Sequence, residues 1–231
     1  HELDELAGWL TAAAATDAET GALGVALAPM YADGPGAGVC DVAFDAERCS
    51  PEVTNEAARE VARCVKSKDG YMLAASACAP EGITTWTLRI QKDSKNDEGC
   101  CLGAAVTPVT GSRYNNPCYM VIRCYNGEVH NRGKCVSSKS ERKVNPGESV
   151  RFTLDRATRE ITAAKLGADG GSFDLGVLWS DVSPDAEVVP VASFYSTGAE
   201  KEIALDEMEW GDGGGGGAVE ADDGDDDAAQ R

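Results

Sequence analysis

The chain has 231 residues and a formal net charge of −18, from 39 acidic and 21 basic residues. That balance argues against DNA or RNA as a partner, because phosphate binding rests on Lys and Arg neutralising the backbone. No apolar run reaches the roughly 18 residues that a membrane-crossing helix needs, so no membrane partner is expected.

The charge is uneven. Residues 211–231 hold seven acids and one Arg, which leaves −12 on the first 210 residues. The chain opens on His rather than Met, with no charged-then-apolar leader after it, and so reads as a piece of a larger polypeptide. Its nine cysteines (40, 49, 64, 78, 100, 101, 118, 124 and 135) are odd in number and form no CxxC pair. With only two His, the clustered Cys/His pairs of a zinc site are not expected, and no metal or cofactor is assigned. The cysteines read as reduced, small core residues. That places the chain inside the cell, in the cytoplasm.

Residues 1–37 read as an N-terminal extension, with Leu3, Leu6 and Leu10 spaced for a short helix and a loop around Asp33–Gly36. Residues 53–66 are ambiguous: Ala57, Val61 and Val65 have helical spacing, whereas Val53-Thr54-Asn55 suits a hairpin. Residues 71–77 predict a short strand. Residues 83–91 predict a clear one, with Trp86, Leu88 and Ile90 on one face and Thr85, Thr87 and Arg89 on the other. Residues 100–106 are apolar throughout, the mark of a strand buried on both faces. A long loop, 107–118, carries Tyr114, Asn115 and Asn116.

Residues 119–155 organise the rest. Met120, Ile122 and Cys124 alternate with Val121, Arg123 and Tyr125, and Val150, Phe152 and Leu154 alternate with Arg151, Thr153 and Asp155. Asn126-Gly127 predicts a hairpin turn in which both residues take positive φ. Trp86 and Phe152 read as core. Further strands are predicted at 159–165, over Phe173–Leu178, at 188–195 and at 201–209. Pro190 implies that strand 188–195 is an edge or carries a bulge. The Gly run and acidic run of 211–231 read as a disordered linker. Strands parted by turns at this spacing predict an all-β fold, a two-sheet antiparallel sandwich.

The order of several motifs resembles the SPRY (B30.2-like) domain family over residues 41–209. Phe44-Asp45 with Cys49-Ser50-Pro51-Glu52-Val53 resembles the family's opening. Gly70-Tyr71, then Gly82 and Trp86–Ile90, resemble its "G..YWEV.I" strand, and Leu102–Val106 its "IGV" strand. Tyr125–His130 with Gly133 resembles the "Y.NG..YH.G" hairpin. Pro146–Val150, Phe152 and Leu154-Asp155 resemble "GD.V.V.LD", and Val189–Val191 with Phe194-Tyr195 and Glu200–Leu205 the closing "YP.V.FY…V.I". The end of the chain is most similar to SPRY domains embedded in giant HECT-type ubiquitin ligases. Residues 56–62, helix-like here, and Gly170-Gly171, in place of the usual "NG", depart from the pattern.

The resemblance implies a bent antiparallel two-sheet β-sandwich of the concanavalin-like jelly-roll kind over residues 38–210. It resolves 53–65 towards β-structure. It also implies a non-catalytic module that binds a short peptide or a protein partner through loops at one end. On that reading the partner-binding residues are Tyr114, Asn115 and Asn116 in the long loop, with Tyr195 and Ser196 after strand 188–195. Tyr and Asn suit recognition, because they offer rigid area and adaptable hydrogen bonds.

Arg123, Arg132, Lys134, Lys139, Arg142 and Lys143 form a basic group in an acidic chain, a candidate dock for an acidic ligand. His130 reads as an exposed hairpin residue, and Asp155 as a turn cap. No Ser/His/Asp set can be assembled. Glu141, Glu148 and Glu160 carry no glycosidase signal, since that chemistry needs two acids about 5–9 Å apart across a cleft. The alternative function is a lectin-like, carbohydrate-binding sandwich. It needs aromatic platforms and often calcium, and the chain is only 6% aromatic.

Overall fold

Every strand expected from alternation is present in the structure, a computed structural model whose described residues are 38–39, 42–56, 60–64, 69–93, 99–195 and 200–211. The short helix expected near residues 3–10, the loop at 33–36 and the acidic tail beyond 211 lie outside them.

The described residues form two antiparallel sheets. One has the order β13 (Ser172–Trp179), β12 (Glu160–Leu166), β11 (Ser149–Asp155), β6 (Ile83–Asp93), β15 (Lys201–Gly211), β4 (Val61–Cys64) and β3 (Val53–Glu56). β1 (Gly38–Val39) also pairs with β15. The other has the order β10 (Lys134–Ser138), β9 (Glu128–Asn131), β8 (Tyr119–Arg123), β7 (Cys100–Val106), β14 (Val188–Phe194), β5 (Gly70–Ala74) and β2 (Phe44–Cys49). Among the described residues the only helical element is a single 3-10 turn, Ser140–Arg142. No helix there is long and apolar enough to cross a membrane.

The core lies between the sheets. β6 and β11 pair with Trp86 opposite Phe152, and both rings are fully buried as expected. They stack at 5.3 Å between centroids, and Phe152 stacks in turn on Trp179 at 6.0 Å. Five cysteines (64, 78, 100, 101 and 124) are buried, Cys49 and Cys118 are half-buried and Cys135 is exposed; all eight are free thiols. β3 and β4 pair antiparallel, so over 53–56 and 61–64 tertiary pairing overrides helical propensity.

Two expectations change, and two further features are new. Pro190 sits in β14, an inner strand with no bulge. Its nitrogen shares the β5 side with the Val188 carbonyl, which accepts from Cys78 N–H, and the β5 ladder begins only at Val191. No N–H is needed at Pro190. The 124–127 turn has positive φ at Gly127 alone (72°). It is closed by Gly127 N–H to Arg123 C=O at 2.9 Å, with the Asn126 side chain accepting from Glu128 N–H at 3.1 Å. Thus a four-residue loop replaces the two-residue turn. β10 was not foreseen: it is polar and exposed, as an edge strand tolerates. In β13, register shifts in its pairing with β12 leave Phe173 and Val177 half-exposed while Leu175 and Leu178 are buried.

Candidate functional site: an aromatic recess on the seven-stranded sheet

The outer face of the seven-stranded sheet is covered, and that explains why β8 is buried on both faces. Tyr119, Val121 and Arg123 alternate away from the core side chains Met120 and Ile122. The register sets Arg123 opposite Glu128, and Val121 opposite His130, across the β8–β9 pair. Arg123, Glu128 and His130 therefore share one face.

Loop 107–118 folds over that face. Asn116 braces it: its amide donates to Gly111 C=O at 3.0 Å and accepts from Cys118 N–H at 2.8 Å. The Tyr119 hydroxyl donates to the same Gly111 carbonyl at 3.0 Å. The β9–β10 turn packs close beneath. Gly133 has φ +80°, and a Cβ there would lie 2.4 Å from the Asn115 carbonyl oxygen, so only glycine allows the approach.

This brace sets Tyr114 over Arg123, with the guanidinium carbon 4.5 Å from the ring centroid. Tyr195, just after β14, meets Tyr114 edge-to-face at 5.0 Å, and its own ring lies 5.8 Å from the same guanidinium. The third wall is His130, edge-to-face with Tyr114 at 5.0 Å. Edge-to-face rings with a cation above one face are mutually favourable.

Glu128 holds the base of the recess. It accepts from Arg123 Nη1 at 2.6 Å and lies 3.2 Å from His130 Nε2. Burial alone would raise the Glu128 carboxyl; its hydrogen bonds with Arg123, His130 and Asn126 outweigh this and hold it below the usual carboxylate range. Burial lowers the affinity of Arg123 for its proton, but the Glu128 hydrogen bond and the Tyr114 ring reverse this and keep it charged. The Tyr114 phenol is raised, mainly by burial, and stays neutral. The set offers rigid ring area, a neutral phenol and a fixed internal charge pair.

On the other flank of loop 107–118, Arg48, Tyr71, Leu73, Thr107, Pro108, Val109 and Glu187 line an open pocket of about 400 Å³. Arg48 and Glu187 pair across it at 3.3 Å.

The residues singled out from sequence divide. Tyr114 and Tyr195 come together, and Asn115 lies exposed beside them. Asn116 is buried, and its amide is committed to the loop. Ser196 falls outside the described residues. The basic group breaks up. Arg123 and Arg142 are buried, Arg123 against Glu128 and Arg142 donating to the Ser137 hydroxyl. Arg132, Lys134, Lys139 and Lys143 are exposed, and Lys143 lies 5.6 Å from the Tyr125 ring.

His130 is not exposed but 6% accessible, because loop 107–118 covers it. Asp155 does cap its turn, accepting from Ala157 N–H at 2.8 Å. Glu128 carries no signal in the residues alone; the hairpin register sets it and His130 on the Arg123 face.

No protein-family profile matches the chain. Among solved structures it is similar to the SPRY domain of human HERC1, with a TM-score of 0.62 and 23% identity, covering 71% of this chain and 97% of that one. It is similar to the TRIM65 PSpry domain at a TM-score of 0.53 and 12% identity, covering 71% and 90%. A seed lectin of Lotus tetragonolobus gives 0.51 and 9%, covering 71% and 91%. With the two antiparallel sheets and their strand order, these likenesses identify the fold of the chain as that of SPRY domains, a concanavalin-like β-sandwich.

Proposed function

We propose that the chain is a non-catalytic interaction module that binds a short peptide segment or a partner protein at the Tyr114–Tyr195 recess. The observation that carries this is the meeting of two tyrosines from loops far apart in sequence, edge-to-face at 5.0 Å over a buried, charge-paired Arg123. Half-buried aromatic rings on a rigid support are what interface hot spots are made of. Asn115 adds an adaptable amide at the rim. The motif order of the sequence supports a larger cytoplasmic parent, such as a ubiquitin ligase or a scaffold.

The test is a peptide-display screen with the full 231-residue chain, repeated with Tyr114→Ala and Tyr195→Ala. A consensus peptide whose affinity falls at least tenfold in either variant, with the melting temperature kept, is the expected result. The similarity to a seed lectin makes glycan binding the second reading. Binding to a glycan array that a calcium chelator abolishes, with no peptide selected, would overturn the peptide reading in favour of it.

A further inference from the structure

A second set of side chains lies against the recess. Glu128 and His130 are two apart on β9, so they share a face, and Cys135 on β10 is the direct cross-strand partner of His130. Their potential ligand atoms all lie within 4.8 Å of one another. His130 is buried, and among the described residues its Nδ1 has no hydrogen-bond partner. Cys135 is exposed, and its thiol has only a long, 3.6 Å contact with the Ser137 carbonyl. The 3.2 Å contact with Glu128 accounts for Nε2. The exposed thiol of Cys135 lies within ligand reach of both side chains and has no structural role that accounts for it.

We propose that Glu128, His130 and Cys135 form a binding site for a zinc-like transition-metal ion. One carboxylate oxygen, one imidazole nitrogen and one thiolate sulfur make a borderline-soft set. Zinc accepts it, whereas calcium and magnesium, which require oxygen, do not. Bond lengths of roughly 2.0–2.3 Å to a tetrahedral centre put ligand atoms about 3.3–3.8 Å apart. Closing the set from 4.8 Å therefore takes small side-chain rotations and no movement of the ladder. Arg123 holds Oε2 of Glu128, the oxygen that also faces His130 Nε2, and so orients the carboxylate in the manner of a second coordination shell. Three protein ligands leave a fourth position for water or a partner's side chain. The spacing Glu-x-His-x4-Cys matches no zinc signature, because the cross-strand register, not the sequence interval, brings the thiol in. The site does not depend on the peptide reading.

The experiment uses the full chain, reduced and stripped with chelator, titrated with Co2+ as a spectroscopic stand-in for zinc. The expected result is one equivalent bound, with a thiolate-to-cobalt charge-transfer band and the intense d–d bands of a tetrahedral site, both lost when Zn2+ is added. Cys135→Ser, at an exposed position that leaves the fold intact, removes the charge-transfer band. Glu128→Gln and His130→Gln weaken binding at least tenfold. Cys49→Ser and Cys118→Ser, at the half-buried thiols, leave it unchanged. An unaltered band in Cys135→Ser overturns the proposal by assigning the metal to other cysteines. So does a wild-type chain that takes up no stoichiometric Co2+ or Zn2+ and melts at the same temperature with and without zinc.

Discussion

The two sheets turn opposite kinds of outer face to their surroundings. On the eight-stranded sheet, Arg89 forks onto Asp206 with two bonds of 2.9 Å, Arg151 meets Glu207 at 2.8 Å and Arg63 meets Glu202 at 3.5 Å. Charge there is matched residue by residue in water. On the seven-stranded sheet loop 107–118 covers part of the outer face, where Tyr71, Tyr114, Tyr119, Tyr195 and His130 gather and Tyr114 and Tyr195 flank the Arg123–Glu128 pair. A self-neutralised, hydrated surface has little to gain from a partner. A half-covered aromatic surface still has apolar area to bury. The difference is why the proposed recognition site is put on the second sheet.

Perturbing the inner faces, which both sheets share, sets the upper bound. Trp86→Ala or Phe152→Ala opens a cavity in a stack of three rings and costs about 3–5 kcal/mol in urea unfolding. Arg123→Met comes next. It strands a Glu128 that retains some solvent, so about 1–3 kcal/mol is expected. This loss depends on pH. The folded carboxyl of Glu128 lies below its ordinary value, so its contribution is complete above that value and fades as pH falls through the lowered one. Urea titrations across the acid range find wild type and Arg123→Met converging at low pH. If the gap between them stays constant, the pair does not anchor the recess.

Tyr114→Ala sharpens the comparison from the other side. Removing a partly exposed ring costs about 1 kcal/mol or less in stability. It costs at least tenfold in partner affinity, about 1.4 kcal/mol. Arg151→Ala, on the ion-paired face, has the smallest effect, within about 0–1 kcal/mol in the same unfolding assay and none on binding. A partner that is lost with Arg151→Ala and kept with Tyr114→Ala would invert the assignment of the two faces. Thiol labelling of the native chain reports the same layering without mutation. Cys135 reacts, whereas Cys100 and Cys124, whose thiols burial pushes well up, react only on unfolding.

Strand existence and strand faces were legible in the residues because period-two alternation is a local property. The sequence 83–90 carries it openly, and Trp86, Leu88 and Ile90 are buried as that pattern demands. Tyr114 and Tyr195 were legible as candidates through the family resemblance, though not as neighbours. Arg123 was misread with its basic companions, since nothing in a run of Arg and Lys tells which one a loop will cover. His130 was misread for the same reason.

The amino-acid sequence by itself determined the fold class and the buried face of strands such as β6 and β11. These follow from chain geometry and side-chain size within a few residues. Only the tertiary structure decided that Tyr114, Tyr195, Arg123, Glu128 and His130 share one recess, that Cys135 stands opposite His130, and that Pro190 belongs to an inner strand. Each depends on which strand pairs with which and where a long loop comes to rest, long-range choices that no short stretch of residues encodes.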